Sequence, residues 1–356
     1  MRRIATCLLL LAGGLLAAGK AVYPGAEWSR YARCEDAGFS APRLEALRGF
    51  LATIDTSSMM IVHSGKVVFE YGDTAQVSYL ASCRKSILAM LYGKYVASGK
   101  IDLNRTLADL GMDDVGGLIP SEKQATVEHL VAARSGVFHP ASNFGDLLAY
   151  APPRGSIPPG SFQLYSNWDF NAAGAAFEKM TSIDLFDALE ADLARPIRMQ
   201  DFDRKMHRKT GDESRSRYLA YHMHLSTRDM VRAGYLMLRE GEWDGRQVVP
   251  REWTRRITSL VTPLYDMNPP QARGYAAGEL WGYGYMWWVW DDHKRDGPFQ
   301  GAYTARGAMG QFITVLPKLD LVIAHKVVPA GPGERPRDAS PHYQTVLHLV
   351  VSAKRQ

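Results

Sequence analysis

The reading of this chain turns on Tyr79-Leu-Ala-Ser82-Cys-Arg-Lys85-Ser-Ile-Leu-Ala-Met-Leu-Tyr92. An apolar run with good helix formers predicts a helix that begins near Ser82. A serine and a lysine three residues apart on a helix share one face, one turn from each other. A lysine whose pKa is lowered there can take the hydroxyl proton and turn Ser82 into a nucleophile. The same residues also read as an ordinary helix start, with Ser82 as N-cap and Lys85 in solvent. Other parts of the chain decide between the two.

Downstream lies Pro159-Gly-Ser-Phe-Gln-Leu-Tyr165-Ser-Asn167-Trp168. A tyrosine and an asparagine two apart on a short turn can face one cavity. A phenol beside a lysine ammonium can be held partly ionised, accept a proton from the nucleophile and return it to the leaving group. Asn167 could position Lys85 or a substrate amide. A third stretch, Tyr303-Thr-Ala305-Arg306-Gly307-Ala-Met-Gly310-Gln311-Phe-Ile-Thr-Val-Leu-Pro317, puts glycines at a strand entrance. There backbone N–H groups can face a developing oxyanion. Taken singly, these stretches also read as an aromatic core residue with a capping Asn and as a bulged edge strand.

In this order, Ser82-x-x-Lys85, Tyr165-Ser-Asn167 and a Gly-rich strand ending in Val-x-Pro resemble the penicillin-recognising serine hydrolases. The chain is most similar to the class C β-lactamase-like esterases, amidases and 6-aminohexanoate-dimer hydrolases. Connecting phrases share the resemblance: Thr126-Val-Glu-His-Leu, Arg134-Ser-Gly136, Leu225-Ser-Thr-Arg-Asp229 and Gly241-Glu-Trp-Asp-Gly-Arg-Gln-Val-Val-Pro250. It extends over roughly residues 40 to 350. It implies Ser82 as the acylated nucleophile, Lys85 as the group that eases its deprotonation and Tyr165 as a shared acid/base. It further implies a positioning or substrate-binding role for Asn167, and an oxyanion hole from the Ser82 N–H and an N–H within Gly307 to Gln311. Arg306, Gly307, Gly310 and Gln311 are the substrate-binding candidates. No cofactor or metal is implied.

The third motif departs from the family pattern. Where the lactamases and peptidases carry Lys-Thr-Gly or His-x-Gly, this chain has Ala305-Arg306-Gly307. Losing that lysine and threonine argues against efficient β-lactam hydrolysis, although Arg306 could supply a substitute cation. The expected activity is therefore hydrolysis of a small ester, amide or peptide. The alternatives are a β-lactamase or D,D-peptidase, and a catalytically silent ligand-binding relative.

The expected fold is α+β, β-lactamase/transpeptidase-like. A helix is predicted over Ala41–Ile54 with Ser40 as cap, then a hairpin over Met59–Tyr71. Aromatic strand is expected from Gly282 to Trp290, a second hairpin around Pro317–Asp320, and a terminal helix over Tyr343–Val351. Helices are expected over 126–133, 171–179, 183–193, 226–239 and 251–260. Strands at both ends and helices between predict one antiparallel sheet built from both chain ends, about 40–80 and 280–356. A mainly helical region, about 81–279, is inserted, with the site in the cleft between. Trp281, Trp287, Trp288 and Trp290 are expected in the sheet core, one or two of them lining an acyl pocket.

The 356 residues are 46% hydrophobic and 22% charged, ordinary for a globular chain. Residues 1–21 have the layout of a secretory signal: Arg2 and Arg3, an apolar run to Ala18, and small residues suited to cleavage after Ala18 or Ala21. An exported protein is expected, periplasmic or secreted, with one hydrolase domain over 22–356 and no membrane attachment after cleavage. Without Arg2, Arg3 and Lys20 the formal charge of +5 falls to +2, and the basic residues are dispersed, so nucleic acid is not an expected partner. Only Cys34 and Cys83 remain in that mature chain. Export permits a bridge between them, but Cys83 reads better as a small buried residue. His222-Met-His224 has the spacing of two strand ligands but lacks a clear third.

Overall fold

The computed structural model describes residues 21–270, 280–292, 296–329, 331, 334 and 337–355. Residues 1–20 of the expected signal segment, 1–21, lie outside them. In chain order, helix α1 (Ala41–Leu51) has Pro42 in its first turn and buries Leu44, Leu47 and Leu51. Ser40 occupies the N-cap position, but its side chain makes no capping bond. Strands β1 (Ser58–His63) and β2 (Lys66–Gly72) form the expected hairpin. Its two-residue turn, Ser64-Gly65, has positive φ at both positions, the combination whose twist suits a tight hairpin. Then come β3 (Ser78–Tyr79), α2 (Cys83–Ala97), α3 (Val127–Val131), α4 (Asn167–Thr181) and α5 (Leu185–Ala188), which widens into a π turn over 189–194. Short strands β4 (Arg208–Thr210), β5 (Ala220–His222) and β6 (His224–Leu225) lead to α6 (Thr227–Leu238). Ser226 caps α6 as expected, accepting from the Asp229 N–H. A small hairpin of β7 (Glu242–Trp243) and β8 (Arg246–Gln247) precedes α7 (Arg251–Ile257).

The aromatic stretch expected as one strand is two: β9 (Trp281–Tyr283) and β10 (Trp288–Trp290), paired antiparallel. The turn between them is drawn against other backbone. A Cβ on Gly284 would come within 2.6 Å of the Ile257 carbonyl, an approach only glycine permits. Strands β11 (Tyr303–Gly307), β12 (Gln311–Leu316) and β13 (Leu321–Lys326) follow, and α8 (Tyr343–Ala353) closes the chain.

Seven strands make one antiparallel sheet in the order β2-β1-β13-β12-β11-β10-β9. The two ends of the chain meet inside it, where β1 pairs with β13 in the register Ile61↔Ile323. Alternate residues serve different layers. Met60, Val62, Ile313, Val322 and Ala324 join the larger core with the central helices, and Met59, Ile61, Phe312, Leu321 and Ile323 pack with α1 and α8. That two-sided burial explains the continuous apolar runs of β1 and β13. Helix α6 lies so close to the sheet that a Cβ on Gly234 would stand 2.6 Å from Val322 Cγ1. Cys34 and Cys83 are both free, so no bridge joins them.

Candidate active site

Ser82 stands at the N-terminus of α2, half-buried, after a sharp turn. Ala81 has φ +47, a left-handed conformation that non-glycine residues seldom adopt outside constrained sites. Helix α2 is buried nearly all round, from Cys83 to Tyr92 without a break. It is anchored along its length: Ser86 Oγ donates to the Met286 carbonyl at 2.5 Å, Trp253 Nε1 to Ala89 at 2.7 Å, and Tyr92 OH to Ala173 at 2.6 Å. The nucleophile candidate thus sits on an element with little freedom to move.

Lys85 is 1% exposed. Its Nζ lies 3.0 Å from Ser82 Oγ, 2.5 Å from Tyr165 OH and 2.7 Å from Asn167 Oδ1. Three of the residues singled out in sequence therefore converge on the fourth. Ser166, not Asn167, caps α4, accepting from the Trp168 N–H. That frees Asn167 to reach inward, and the helix starts four residues before the expected 171. Asn167 is held from both sides, its N–H donating to Asp146 Oδ2 at 3.1 Å and its Nδ2 to the Phe144 carbonyl at 2.9 Å. With Nδ2 committed, Oδ1 faces Lys85.

Burial governs the protonation of the cluster. It lowers the Lys85 pKa well below the ordinary 10.5, and the neighbouring Arg84 charge lowers it further. Burial pushes Tyr165 up to about 12, offset in part by a hydrogen bond to Ser82 and by the Arg84 and Arg306 charges. Both directions favour an uncharged amine beside an uncharged phenol. That is the direction expected of Lys85 and the opposite of the partly ionised phenol expected of Tyr165. A neutral amine can donate to Asn167 Oδ1 and still offer its lone pair to a hydroxyl.

The third motif abuts the nucleophile turn. A Cβ on Gly307 would fall 2.6 Å from the Leu80 carbonyl and 3.1 Å from Ala81 Cβ. Cys83 Sγ donates to the Gln311 carbonyl at 3.2 Å, tying the start of β12 to α2. The Gly310 carbonyl accepts from His325 Nδ1 at 2.7 Å, while Thr56 Oγ1 lies 2.8 Å from His325 Nε2. A carbonyl can only accept, so His325 carries its proton on Nδ1. Met309 has φ +67, and its carbonyl accepts from the Ala339 N–H. Three successive carbonyls of this turn are thus occupied within the protein. The Gln311 side chain is fully buried, with Nε2 on the Val327 carbonyl at 2.6 Å, so it offers the cleft its backbone only. The Arg306 guanidinium lies 5.1 Å from the Trp288 ring. Trp281 and Trp287 are core residues, while Trp288 is half-buried with its ring 6.0 Å from that of Tyr165. Among the four tryptophans expected in the sheet core, Trp288 is the one whose ring lies near both Tyr165 and Arg306.

His222 and His224 are pushed down to about 4 by burial. His222 Nδ1 lies 3.2 Å from Tyr79 OH, a role in packing rather than in the cluster. A basic concavity lined by Arg43, Lys318, Lys354 and Arg355 lies beside α1 and α8; it contains no nucleophile paired with a base. Sequence reading passed over Asp146, Phe170 and Arg84. Phe170 lies under the Lys85 ammonium position, with its ring centre 4.4 Å from Nζ. Arg84 carried a signal of burial, being the one charge besides Lys85 in the run Cys83 to Tyr92, which is too apolar to face water.

A sequence profile described as Beta-lactamase matches residues 45–340. Among curated proteins, an uncharacterized protein of Alkalihalophilus pseudofirmus is 27% identical over 107 residues, 28% of each chain, so less than a third of that relative's length is matched. Among solved structures, a provisionally named 6-aminohexanoate-dimer hydrolase from Bacillus anthracis superposes with TM-score 0.62 at 20% identity, covering 86% of this chain and 80% of its own. A penicillin-binding protein homolog from Caulobacter crescentus gives 0.61 at 14% identity over 89% and 99% of the two chains. A β-lactamase from Mycobacterium bovis gives 0.59 at 18% over 88% and 100%. At such identities the likeness is one of fold.

Proposed function

This chain belongs to the beta-lactamase family, and on that premise we propose that it is an exported serine hydrolase cleaving a small ester or amide through an acyl-enzyme on Ser82. The observation that carries the reading is the convergence of Ser82 Oγ, Tyr165 OH and Asn167 Oδ1 on one buried lysine amine. Lys85, uncharged, takes the Ser82 proton as Oγ bonds to the substrate carbonyl carbon. The negative charge that develops on the carbonyl oxygen meets the Ser82 N–H and an N–H of the Gly307–Gln311 turn. As the tetrahedral intermediate collapses, the bond to the leaving alcohol or amine breaks and that group receives a proton from the Lys85–Tyr165 pair. Water then attacks the acyl carbon and passes its proton to the same pair; the bond from Oγ to the acyl carbon breaks, the pair returns that proton to Ser82 Oγ, and the acid leaves. None of these steps needs a metal or an organic cofactor.

Ala305-Arg306-Gly307 in place of Lys-Thr-Gly supports an ester or amide substrate over a β-lactam. The test is turnover of p-nitrophenyl esters, nitrocefin and a D-Ala-D-Ala peptide beside Ser82→Ala. Ester turnover that is lost in the variant, with nitrocefin untouched, is the expected result. Turnover of nitrocefin or of the peptide as the preferred substrate would replace this reading by the lactamase or peptidase one.

A further inference from the structure

Arg84 takes no part in the proton transfers above, yet it is buried at their centre. It lies on α2 between Ser82 and Lys85 and is 2% exposed. Its Nη2 donates to Asn171 Oδ1 at 3.1 Å, and its guanidinium carbon stands 4.3 Å from the centre of the Tyr221 ring. Nη1 has no hydrogen-bond partner. Both neighbours are uncharged. The amide of Asn171 is oriented by its own bond from Nδ2 to Asn143 Oδ1 at 2.8 Å, so its oxygen faces the guanidinium.

Burying a guanidinium among neutral groups is expensive, because arginine does not shed its proton in proteins. The next residue along the helix is Lys85, equally buried. Their head groups bond to Asn171 and Asn167, one turn apart on α4, so two positive charges held there without water would repel. The arginine cannot yield and the lysine can. We infer that Arg84 is a positioning residue for the proposed reaction: its fixed charge, clamped between Asn171 and Tyr221, keeps Lys85 an uncharged amine ready for the Ser82 proton. This rests on the serine-hydrolase reading above.

The other groups around Lys85 divide as follows. Burial and then Arg84 act on it downward, whereas Asp146 and Cys83 act upward. Asp169 on α4 is itself pushed well above its ordinary value by burial, offset in part by its hydrogen bonds from Ser135. Arg306 of β11 bears on Tyr165, and Tyr283 of β9 stays protonated through burial. On β5, burial keeps Tyr221 protonated and His222 neutral. Asp146 is the opposing charge, and Arg84 acts against it.

The experiment is the rate of Ser82 labelling by a fluorophosphonate as a function of pH, read by intact mass, with melting curves alongside. Arg84→Met removes the charge and keeps bulk. Asn171→Asp keeps Arg84 but supplies a counter-charge, and Asn171→Ala breaks the same hydrogen bond without one. The acidic limb of the rate profile is expected to move up by about one pH unit in Arg84→Met and Asn171→Asp, so that labelling on that limb slows about tenfold. It is expected to stay in place in Asn171→Ala. A limb unmoved in Asn171→Asp, with Ser82 still labelled, overturns the inference and leaves the hydrolase reading intact. If Arg84→Met fails to fold, the two Asn171 variants decide alone. Absence of Ser82 labelling in the parent protein would overturn the hydrolase reading, and this inference with it.

Discussion

Tyr165 and Lys85 share a 2.5 Å contact, yet burial presses both toward their uncharged forms. The division of labour that follows is testable in one atom. Tyr165→Phe deletes the phenolic oxygen and leaves the Lys85–Ser82 bond at 3.0 Å in place. Acylation is expected to slow by about 10²-fold or more, the usual worth of a positioned acid/base. The loss should be smaller for p-nitrophenol, which leaves without a proton, than for an alkyl ester or amide, whose leaving group needs one. Equal losses for both would show that Tyr165 does not protonate the leaving group. That Ser82, Lys85, Tyr165 and Asn167 come together was legible in the sequence, because their spacing within short motifs survives folding. Arg84 and Asp146 were not, since their roles arise from packing partners far along the chain, Asn171 for one and the Asn167 N–H for the other.

At the scale of elements, the site depends on how closely β11 approaches the turn before α2. Gly307 has an ordinary extended backbone, φ −127, so its need for glycine comes from space alone. A methyl there would meet the Leu80 carbonyl at 2.6 Å. Gly307→Ala is expected to cost about 1–3 kcal/mol of stability, typical of overpacking, and to depress kcat more than KM by moving the turn's N–H groups away from Ser82. A variant with full activity and an unchanged melting point would show that the contact yields freely. The hairpins and the terminal helix followed from local pattern: β1 and β2 meet at Ser64-Gly65, and α8 lies within three residues of its expected ends. The division of residues 282–290 did not. Trp287 and Trp288 read as one aromatic strand until Ile257, far off in sequence, claims the space around Gly284. Likewise the expected helix over 183–193 is four α-helical residues and a π turn, a change of pitch that periodicity over so short a run does not register.

For the whole molecule, the meeting of both chain ends in one sheet leaves titratable groups in the interior that become exposed only on unfolding. His325 is fully buried beside the stacked rings of Phe312 and Tyr343, and burial lowers it from 6.5 to about 4. Its folded pKa is depressed, so the unfolded chain binds a proton below pH 6.5 that the folded chain refuses. Its contribution is present above pH 6.5 and is lost as the pH falls toward 4, by about 3 kcal/mol at most. His207, His222 and His224, more exposed, act in the same direction. Asp229, raised to about 6 by burial, opposes them over part of the range. Melting temperatures should therefore fall between pH 6.5 and 4, and His325→Gln should flatten that fall; an unchanged slope in the variant would remove His325 as its source. The central claim is that one serine of this molecule becomes acylated. Its most direct measurement is the intact mass of the protein after reaction with a fluorophosphonate, followed by peptide mapping of the adduct. A single adduct on Ser82, absent in Ser82→Ala and slowed in Lys85→Ala, is the expected result, and a stoichiometric adduct that persists in Ser82→Ala contradicts it.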